Sequence, residues 1–331
     1  MRVLVTGATS LIGRHVVARL VERGDRVACL QRRPSGEPWP DGVDEITGDV
    51  ADRWAVDAAI DGCDGVIHLA ARVGVVGSRH DFETVNVGGT LNVLDAARTS
   101  GVTKVVHVSS PSVAHDGHPI VGGRADRAIS AHGRAWYPAT KAIAERAALA
   151  ASTRGLGVVA IRPHLVWGPG DTQLVGRIVE RAMSGRLALV GGGTALVDTT
   201  YVDNAADALV AALDAVGPDA RCAGSAYVVA NGEPRPIRDL VLGICRAAGV
   251  DASPRTVPLR LARPVGSVIE RAWTVSRRGD EPPLTRFLAD QLGTAHWFDP
   301  RPATADLGWL PAVTIDDGLT HLADWFDSRR D

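Results

Sequence analysis

The sequence predicts an α/β protein, a doubly wound parallel sheet of Rossmann type carrying a smaller C-terminal substrate lobe. Three observations predict it. Short β-branched runs at Arg2–Val5, Arg26–Leu30, Gly65–Leu69, Lys104–Val108 and Val158–Ile161 read as strands buried on both faces. The stretches Gly13–Arg23, Asn86–Ser100 and Thr140–Thr153 between them carry apolar residues at helical spacing. A glycine-bearing turn, Thr6–Gly13, joins the first strand to the first helix. Such alternation builds a parallel sheet, because parallel strands need crossovers. After residue 166 the texture changes, with Gly168-Pro169-Gly170 and Gly191-Gly192-Gly193 marking shorter, less regular elements. The expected division is 1–170 with 199–232 as the dinucleotide-binding domain, and 171–198 with 233–331 as the substrate-binding lobe. Pro34–Asp44 reads as a polar, proline-rich loop.

Composition narrows the function classes. With 36 Lys+Arg against 38 Asp+Glu in 331 residues, there is no basic surplus to neutralise a nucleic-acid backbone. Cys29, Cys63, Cys222 and Cys245 are scattered, without a CxxC pair, and read as small hydrophobes in a reducing compartment. No apolar run is long enough to span a bilayer, and the first strand begins at once, so no signal peptide and a cytoplasmic location are expected. Of the basic residues only Lys104 and Lys141 are lysines.

The turn Thr6-Gly7-Ala8-Thr9-Ser10-Leu11-Ile12-Gly13 is built to receive a pyrophosphate. Gly7 permits the tight turn, Gly13 lets helix and strand approach, and the helix N-terminus offers N–H groups. Ser10 stands where a glycine is usual; its side chain either restricts backbone approach or supplies a hydroxyl donor to phosphate. At the end of the second strand, Leu30-Gln31-Arg32-Arg33 has no carboxylate for a ribose 2′-hydroxyl. Arg32 and Arg33 suit a 2′-phosphate instead, so NADP(H) is favoured over NAD(H).

Tyr137-Pro138-Ala139-Thr140-Lys141 places a phenol and an ammonium four residues apart on one helical face. An ammonium close to a phenol favours the phenolate and draws its pKa toward neutrality. Val105–Ser110 is a buried-type strand ending in Ser109-Ser110, so a hydroxyl faces the crevice where doubly wound sheets bind ligands. Ser110 would hold a substrate oxygen that Tyr137 protonates, with Ser112 the next candidate if the register is shifted.

In order and spacing, Gly7–Gly13, Asp49-Val50, His68–Ala71, Asn86–Thr90, Ser109-Ser110, Tyr137–Lys141 and Arg162-Pro163-His164 resemble the extended short-chain dehydrogenase/reductase family. Arg162–Asp171, Leu196–Asn204 and the tail Trp297–Pro300 are similar to its 3β-hydroxysteroid dehydrogenase branch, which includes sterol-4α-carboxylate 3-dehydrogenases and 2-alkyl-3-oxoalkanoate reductases. The resemblance implies a catalytic triad of Ser110, Tyr137 and Lys141. It further implies cofactor contacts from Gly7, Thr9, Ser10, Leu11, Ile12 and Gly13, from Asp49 and Val50 at the adenine, and from Leu69, Ala70, Ala71 and Asn86. Pro163, His164 and Val166 would lie near the nicotinamide.

The implied reaction is hydride transfer between NADP(H) and the 3-oxo or 3-hydroxy group of a bulky lipophilic acid or steroid. A nucleotide-sugar epimerase or dehydratase, and a non-catalytic NADP(H) sensor, are the alternatives. Arg72, Arg79, Arg134 and His164 are candidate cations for a substrate carboxylate. Within 260–278, Leu261, Val265, Val268, Ile269, Ala272 and Trp273 form an apolar face, with Arg260, Arg263, Arg271 and Arg278 opposite. Such a helix packs onto the domain, lids a lipophilic pocket or touches a membrane surface. A homodimer is a further expectation. His115-Asp116-Gly117-His118 has ligand residue types but no evident third ligand, so no metal is expected, and His68 and His107 read as satisfied core histidines.

Overall fold

The computed structural model describes residues 1–74, 76–114, 118–126, 128–129, 136–276 and 285–330. The chain begins β1 (Arg2–Thr6), α1 (Leu11–Glu22), β2 (Arg26–Gln31), β3 (Val43–Thr47), α2 (Arg53–Ile60), β4 (Gly65–His68), α3 (Arg79–Phe82), α4 (Gly89–Thr99) and β5 (Lys104–Val108). It continues through β6 (Ile120–Gly123), α5 (Trp136–Ala150), β7 (Gly157–Pro163), β8 (Val166–Trp167), α6 (Val175–Met183), β9 (Ala188–Val190), β10 (Leu196–Val197), β11 (Thr200–Tyr201), α7 (Val202–Ala215) and β12 (Ala226–Val229). The last part holds β13 (Arg235–Pro236), α8 (Ile237–Ala247), β14 (Arg255–Val257), α9 (Leu259–Ser276), α10 (Arg286–Gly293), β15 (His296–Phe298), α11 (Arg301–Leu307) and α12 (Ile315–Asp327).

Seven strands form the large sheet, in the order β12-β7-β5-β4-β1-β2-β3, and every pairing is parallel. Alternation along β1 shows why both faces are apolar. Val3 and Val5 enter the core shared with α1, α7 and α11, while Leu4 enters the core shared with α2 and α4. The strand order reverses between β1 and β4, and this opens a crevice at their carboxyl ends.

Three local differences from the expected elements have physical causes. Val43–Thr47 is a strand, although Pro34–Asp44 reads as loop; it is the sheet's edge, with Asp44, Glu45 and Thr47 exposed, so it lacks an apolar run. The helix expected over Asn86–Ser100 starts only at Gly89, after a π-helical turn over Glu83–Gly88. The helix expected from Thr140 begins at Trp136, which puts Tyr137 in its first turn.

The lobe has a different texture. A four-stranded sheet runs β13-β10-β15-β6, so β6 leaves the large sheet's half of the chain to join the lobe. Trp167, Tyr201, Ile237, Ile244 and Leu322 form its core, with the Trp167 and Tyr201 rings edge-to-face at 5.4 Å. Among the described residues no helix is long and apolar enough to cross a membrane.

Candidate active site

The turn after β1 meets the crevice with bare backbone. Gly7 has φ +74°, and a Cβ there would come within 2.9 Å of Ala70 N, just past the end of β4. A Cβ on Gly13 would lie 2.4 Å from Gly7 O, so no larger residue fits. Ser10 resolves its open role as a cap. Its Oγ accepts from Gly13 N at 3.1 Å and donates to Gly7 O at 2.8 Å, so the hydroxyl is spent within the turn. The start of α1 carries no acidic residue, which leaves the dipole end free for a pyrophosphate. These features fit a dinucleotide.

At the far end of the crevice, β5 and α5 bring three side chains together. The Tyr137 hydroxyl is hydrogen-bonded to the Ser110 side chain. Ser112 Oγ lies 2.9 Å from Ser110 Oγ, so both serine candidates sit together at this point. Lys141 is buried, and its Nζ donates to Val108 O at 2.6 Å. The proximity of Lys141 does not draw the phenol toward neutrality. Burial raises the Tyr137 pKa above its ordinary value and the Ser110 bond opposes this, whereas Lys141 spends its ammonium on a carbonyl. Burial in turn lowers Lys141 to about 8, with the Glu145 carboxylate one helical turn on pulling the other way.

A buried polar chain links the two ends. Thr90 Oγ1 donates to Asn86 O at 2.7 Å, so His68 Nε2, 3.1 Å away, is the N–H donor to that hydroxyl. His68 Nδ1 then accepts from Thr6 Oγ1 at 2.7 Å, and Thr6 Oγ1 accepts from Ala70 N at 3.2 Å. The network fixes one neutral tautomer, in keeping with burial pushing His68 down to about 3. Asn86 Oδ1 accepts from Arg72 N at 2.7 Å, and its amide donates to Thr140 Oγ1 at 2.9 Å. Asn86 therefore clamps the segment after β4 to α5 at Thr140, between Tyr137 and Lys141. His107, beside His68 with ring centroids 5.6 Å apart, departs from expectation: neither ring nitrogen has a hydrogen-bond partner. Burial and the charge of Lys141 keep it neutral.

With this geometry in place, comparison with known proteins decides the family. Residues 4–261 match the 3-beta hydroxysteroid dehydrogenase/isomerase family. The chain belongs to that family. A 2-alkyl-3-oxoalkanoate reductase of Stenotrophomonas maltophilia is 46% identical over 324 residues, covering 97% of this chain and 98% of the relative. A 3 beta-hydroxysteroid dehydrogenase/Delta 5-->4-isomerase of Mycobacterium tuberculosis is 32% identical, covering 99% and 90%. Among solved structures, the UDP-glucose 4-epimerase of Thermus thermophilus in complex with NAD superposes with a TM-score of 0.72 at 28% identity, each chain covered to 99%. The protein is thus an oxidoreductase with the extended short-chain dehydrogenase/reductase fold and a nicotinamide nucleotide as cofactor.

As a 3-beta hydroxysteroid dehydrogenase/isomerase family member, the chain places its remaining candidates as follows. Leu69, Ala70 and Ala71 follow β4 and line the crevice beside Gly7, with Thr9, Leu11 and Ile12 at the start of α1. Val50 is buried against Gly89 of α4, and Asp49 Oδ1 accepts from Ala51 N at 2.9 Å to hold that corner. At the tip of β2 an acid is present after all, one strand over. The Gln31 amide donates to Glu45 of β3, and Ser35 N donates to the same carboxylate oxygen at 2.6 Å. Arg32 and Arg33 are exposed beside this knot.

Pro163 ends β7, and His164 N donates to Val229 O at 3.0 Å. The His164 ring meets His296 and Phe298 of β15 edge-on, each at 5.0 Å, which brings β15 against the end of β7. Leu165, between His164 and Val166, has φ +43°, the one positive value among described residues other than glycine. Two of the candidate carboxylate-binding arginines, Arg72 and Arg79, are already engaged. Arg72 lies over the Phe82 ring and 3.8 Å from Asp81, and Arg79 pairs with Glu83 at 2.7 Å. Arg134 and the metal-like run His115–Gly117 lie outside the described residues, among which no His/Cys/Asp/Glu cluster could hold a metal.

Sequence reasoning missed two residues that hold the site. Glu145 and Arg162, each 1% exposed, form a bidentate pair at 2.6 and 2.8 Å, and Arg162 Nη2 also donates to Asp126 O. The available signal was Glu145 four residues after Lys141, on the same face of α5.

Proposed function

We propose that the protein reduces the ketone of a 2-alkyl-3-oxo acid to the 3-hydroxy acid, with NADPH favoured over NADH. The observation that carries this reading is the 46% identity to a 2-alkyl-3-oxoalkanoate reductase over nearly the whole of both chains. The triad geometry supports it. A substrate carbonyl oxygen beside Ser110 Oγ and Tyr137 Oη receives a hydrogen bond from the serine and the proton from the tyrosine. The raised Tyr137 pKa keeps the phenol protonated at neutral pH, which suits an acid acting in reduction. Lys141, one turn further along α5 with its Nζ on Val108 O, is placed to hold the nucleotide's ribose hydroxyls. When bound, the nicotinamide nucleotide supplies the hydride to the carbonyl carbon. The preference for NADPH rests on the exposed guanidiniums of Arg32 and Arg33, and the Glu45 carboxylate beside them is already engaged by Gln31 and Ser35.

The test is nucleotide consumption against 2-alkyl-3-oxo acids, 3-ketosteroids and nucleotide-diphosphate sugars, with NADPH and NADH in parallel. Turnover of the oxo acids with NADPH, weakened by Arg32→Glu with Arg33→Glu while NADH turnover is kept, is the expected result. Turnover of the steroids or sugars alone contradicts the substrate; equal use of both nucleotides contradicts the cofactor preference.

A further inference from the structure

Helix α9 carries two apolar stripes where the sequence suggested one. Ala262 and Gly266 are buried, and Ala262 joins Val190 and Ala289 in a small core. Ile269 and Trp273, expected on the same apolar face as Leu261 and Val265, are half-buried on this inner side. Among the described residues the other stripe has no cover. Leu261, Val265 and Val268 are 52%, 48% and 66% exposed, and Ala272 is exposed with them. At about 100° per residue these four fall within about 60° of one another, so they form a single line along the helix.

The charges sort in the same way. Arg260 and Arg271 are exposed and lie on one flank of the apolar line, about a quarter-turn from its centre. Among the described residues no acid pairs with either of them, whereas Arg263, further round, is held by Asp290 at 2.6 Å. Glu270 is the only acid between residues 259 and 276, and it falls on the far side of the helix from the apolar line. An uncovered apolar line flanked by same-sign cations matches a surface that is apolar below and anionic above.

We propose that this face of α9 docks on an anionic lipid bilayer. Leu261, Val265, Val268 and Ala272 enter the boundary between headgroups and acyl chains, while Arg260 and Arg271 reach the lipid phosphates. A second copy of the chain fits less well, because a two-fold contact along this line would bring like-charged arginines together. Because α9 belongs to the lobe, docking would set the lobe against the phase in which a lipophilic acid dissolves. That consequence rests on the function proposed above; the docking itself does not.

The experiment is co-sedimentation of the full chain, without nucleotide or substrate, with vesicles of phosphatidylcholine alone or mixed with phosphatidylglycerol. The wild type is expected to pellet with the mixed vesicles at low salt. It should be released at about 1 M salt, where screening cuts the reach of charge to about 3 Å. Val265→Asp with Val268→Asp, and separately Arg260→Gln with Arg271→Gln, should each weaken binding by roughly tenfold or more. All four positions are exposed, so thermal melting of both variants should match the wild type. Absence of wild-type binding at low salt overturns the proposal. So does unchanged binding by both variants, or a variant that shifts the oligomeric state while vesicle binding stays the same.

Discussion

Strands of the large sheet run four to seven residues, from β4 and β12 to β7, while those of the lobe run two to four. In the sheet, paired backbones in parallel register do most of the holding, and the crevice is shaped by what cannot fit beside Gly7 and Gly13. In the lobe, long-range side chains take over. Asp198 accepts from Gly232 N and Glu233 N, Asn204 and Asn231 both donate to Val313 O, and Arg235 ties Glu233 to Asp316. The contrast teaches why the turn after β1 is held rigidly by the sheet, while the lobe is tied together by side chains distant in sequence. Ladders restrict backbone, whereas scattered side-chain ties leave apolar faces such as that of α9 uncovered.

Substitutions can break or sharpen this contrast. The largest effect is expected at Gly13, where a valine Cβ would overlap Gly7 O at 2.4 Å. Gly13→Val should cost at least about 4 kcal/mol and abolish nucleotide binding, read by thermal melting and by nucleotide fluorescence titration. Next is the buried pair behind the triad. Arg162→Ala leaves Glu145 charged and unpaired at 1% exposure, and should cost about 3–5 kcal/mol in denaturant unfolding. Arg162→Met with Glu145→Leu should recover most of that loss.

Lys141 gives a smaller, pH-dependent effect. Its pKa is about 8 in the folded chain against 10.5 ordinarily, so between these values the unfolded chain holds the proton more tightly and stability rises with pH. Lys141→Met should remove that rise and stabilise the protein at neutral pH by about 1–2 kcal/mol, at the expense of turnover. Wild-type reduction should decline as pH passes through about 8, where the ammonium is lost. The smallest effect is expected at Gly308, the left-handed cap of α11, with φ +66° and open space around it. Gly308→Ala should cost only about 1 kcal/mol by melting, since the penalty there is conformational alone.

Much of the sheet was legible because burial on both faces writes continuous apolar runs, as in Val105–Val108 and Val158–Ile161. β3 was not, since an edge strand needs only Val43 and Ile46 to face inward. Within the site, Tyr137 and Lys141 announced themselves by spacing, and Ser110 by its place at a strand end. The link from Thr6 through His68, Thr90 and Asn86 to Thr140 was invisible, because its members are separated by up to 62 residues and joined only by folding. Glu45 was hidden for the same reason. It reaches Gln31 across the ladder from 14 residues away, so an acid absent from the tip of β2 is supplied by β3.

The two lysines sharpen the same point. Lys104 Nζ donates to Leu213 O and Asp214 O at 3.3 and 3.2 Å, capping the end of α7, while Lys141 serves the crevice. Both use a compact ammonium on backbone carbonyls, yet only spacing relative to Tyr137 distinguished the reactive one.

The central claim is that Tyr137 gives a proton to a carbonyl held beside Ser110, and Tyr137→Phe tests it most directly. Nucleotide consumption and nucleotide binding should be measured on the same preparation with a 2-alkyl-3-oxo acid. The account predicts a fall in kcat of roughly a thousandfold, within the range for loss of a general acid, with nucleotide Kd changed by less than about threefold. Turnover within tenfold of the wild type would contradict it.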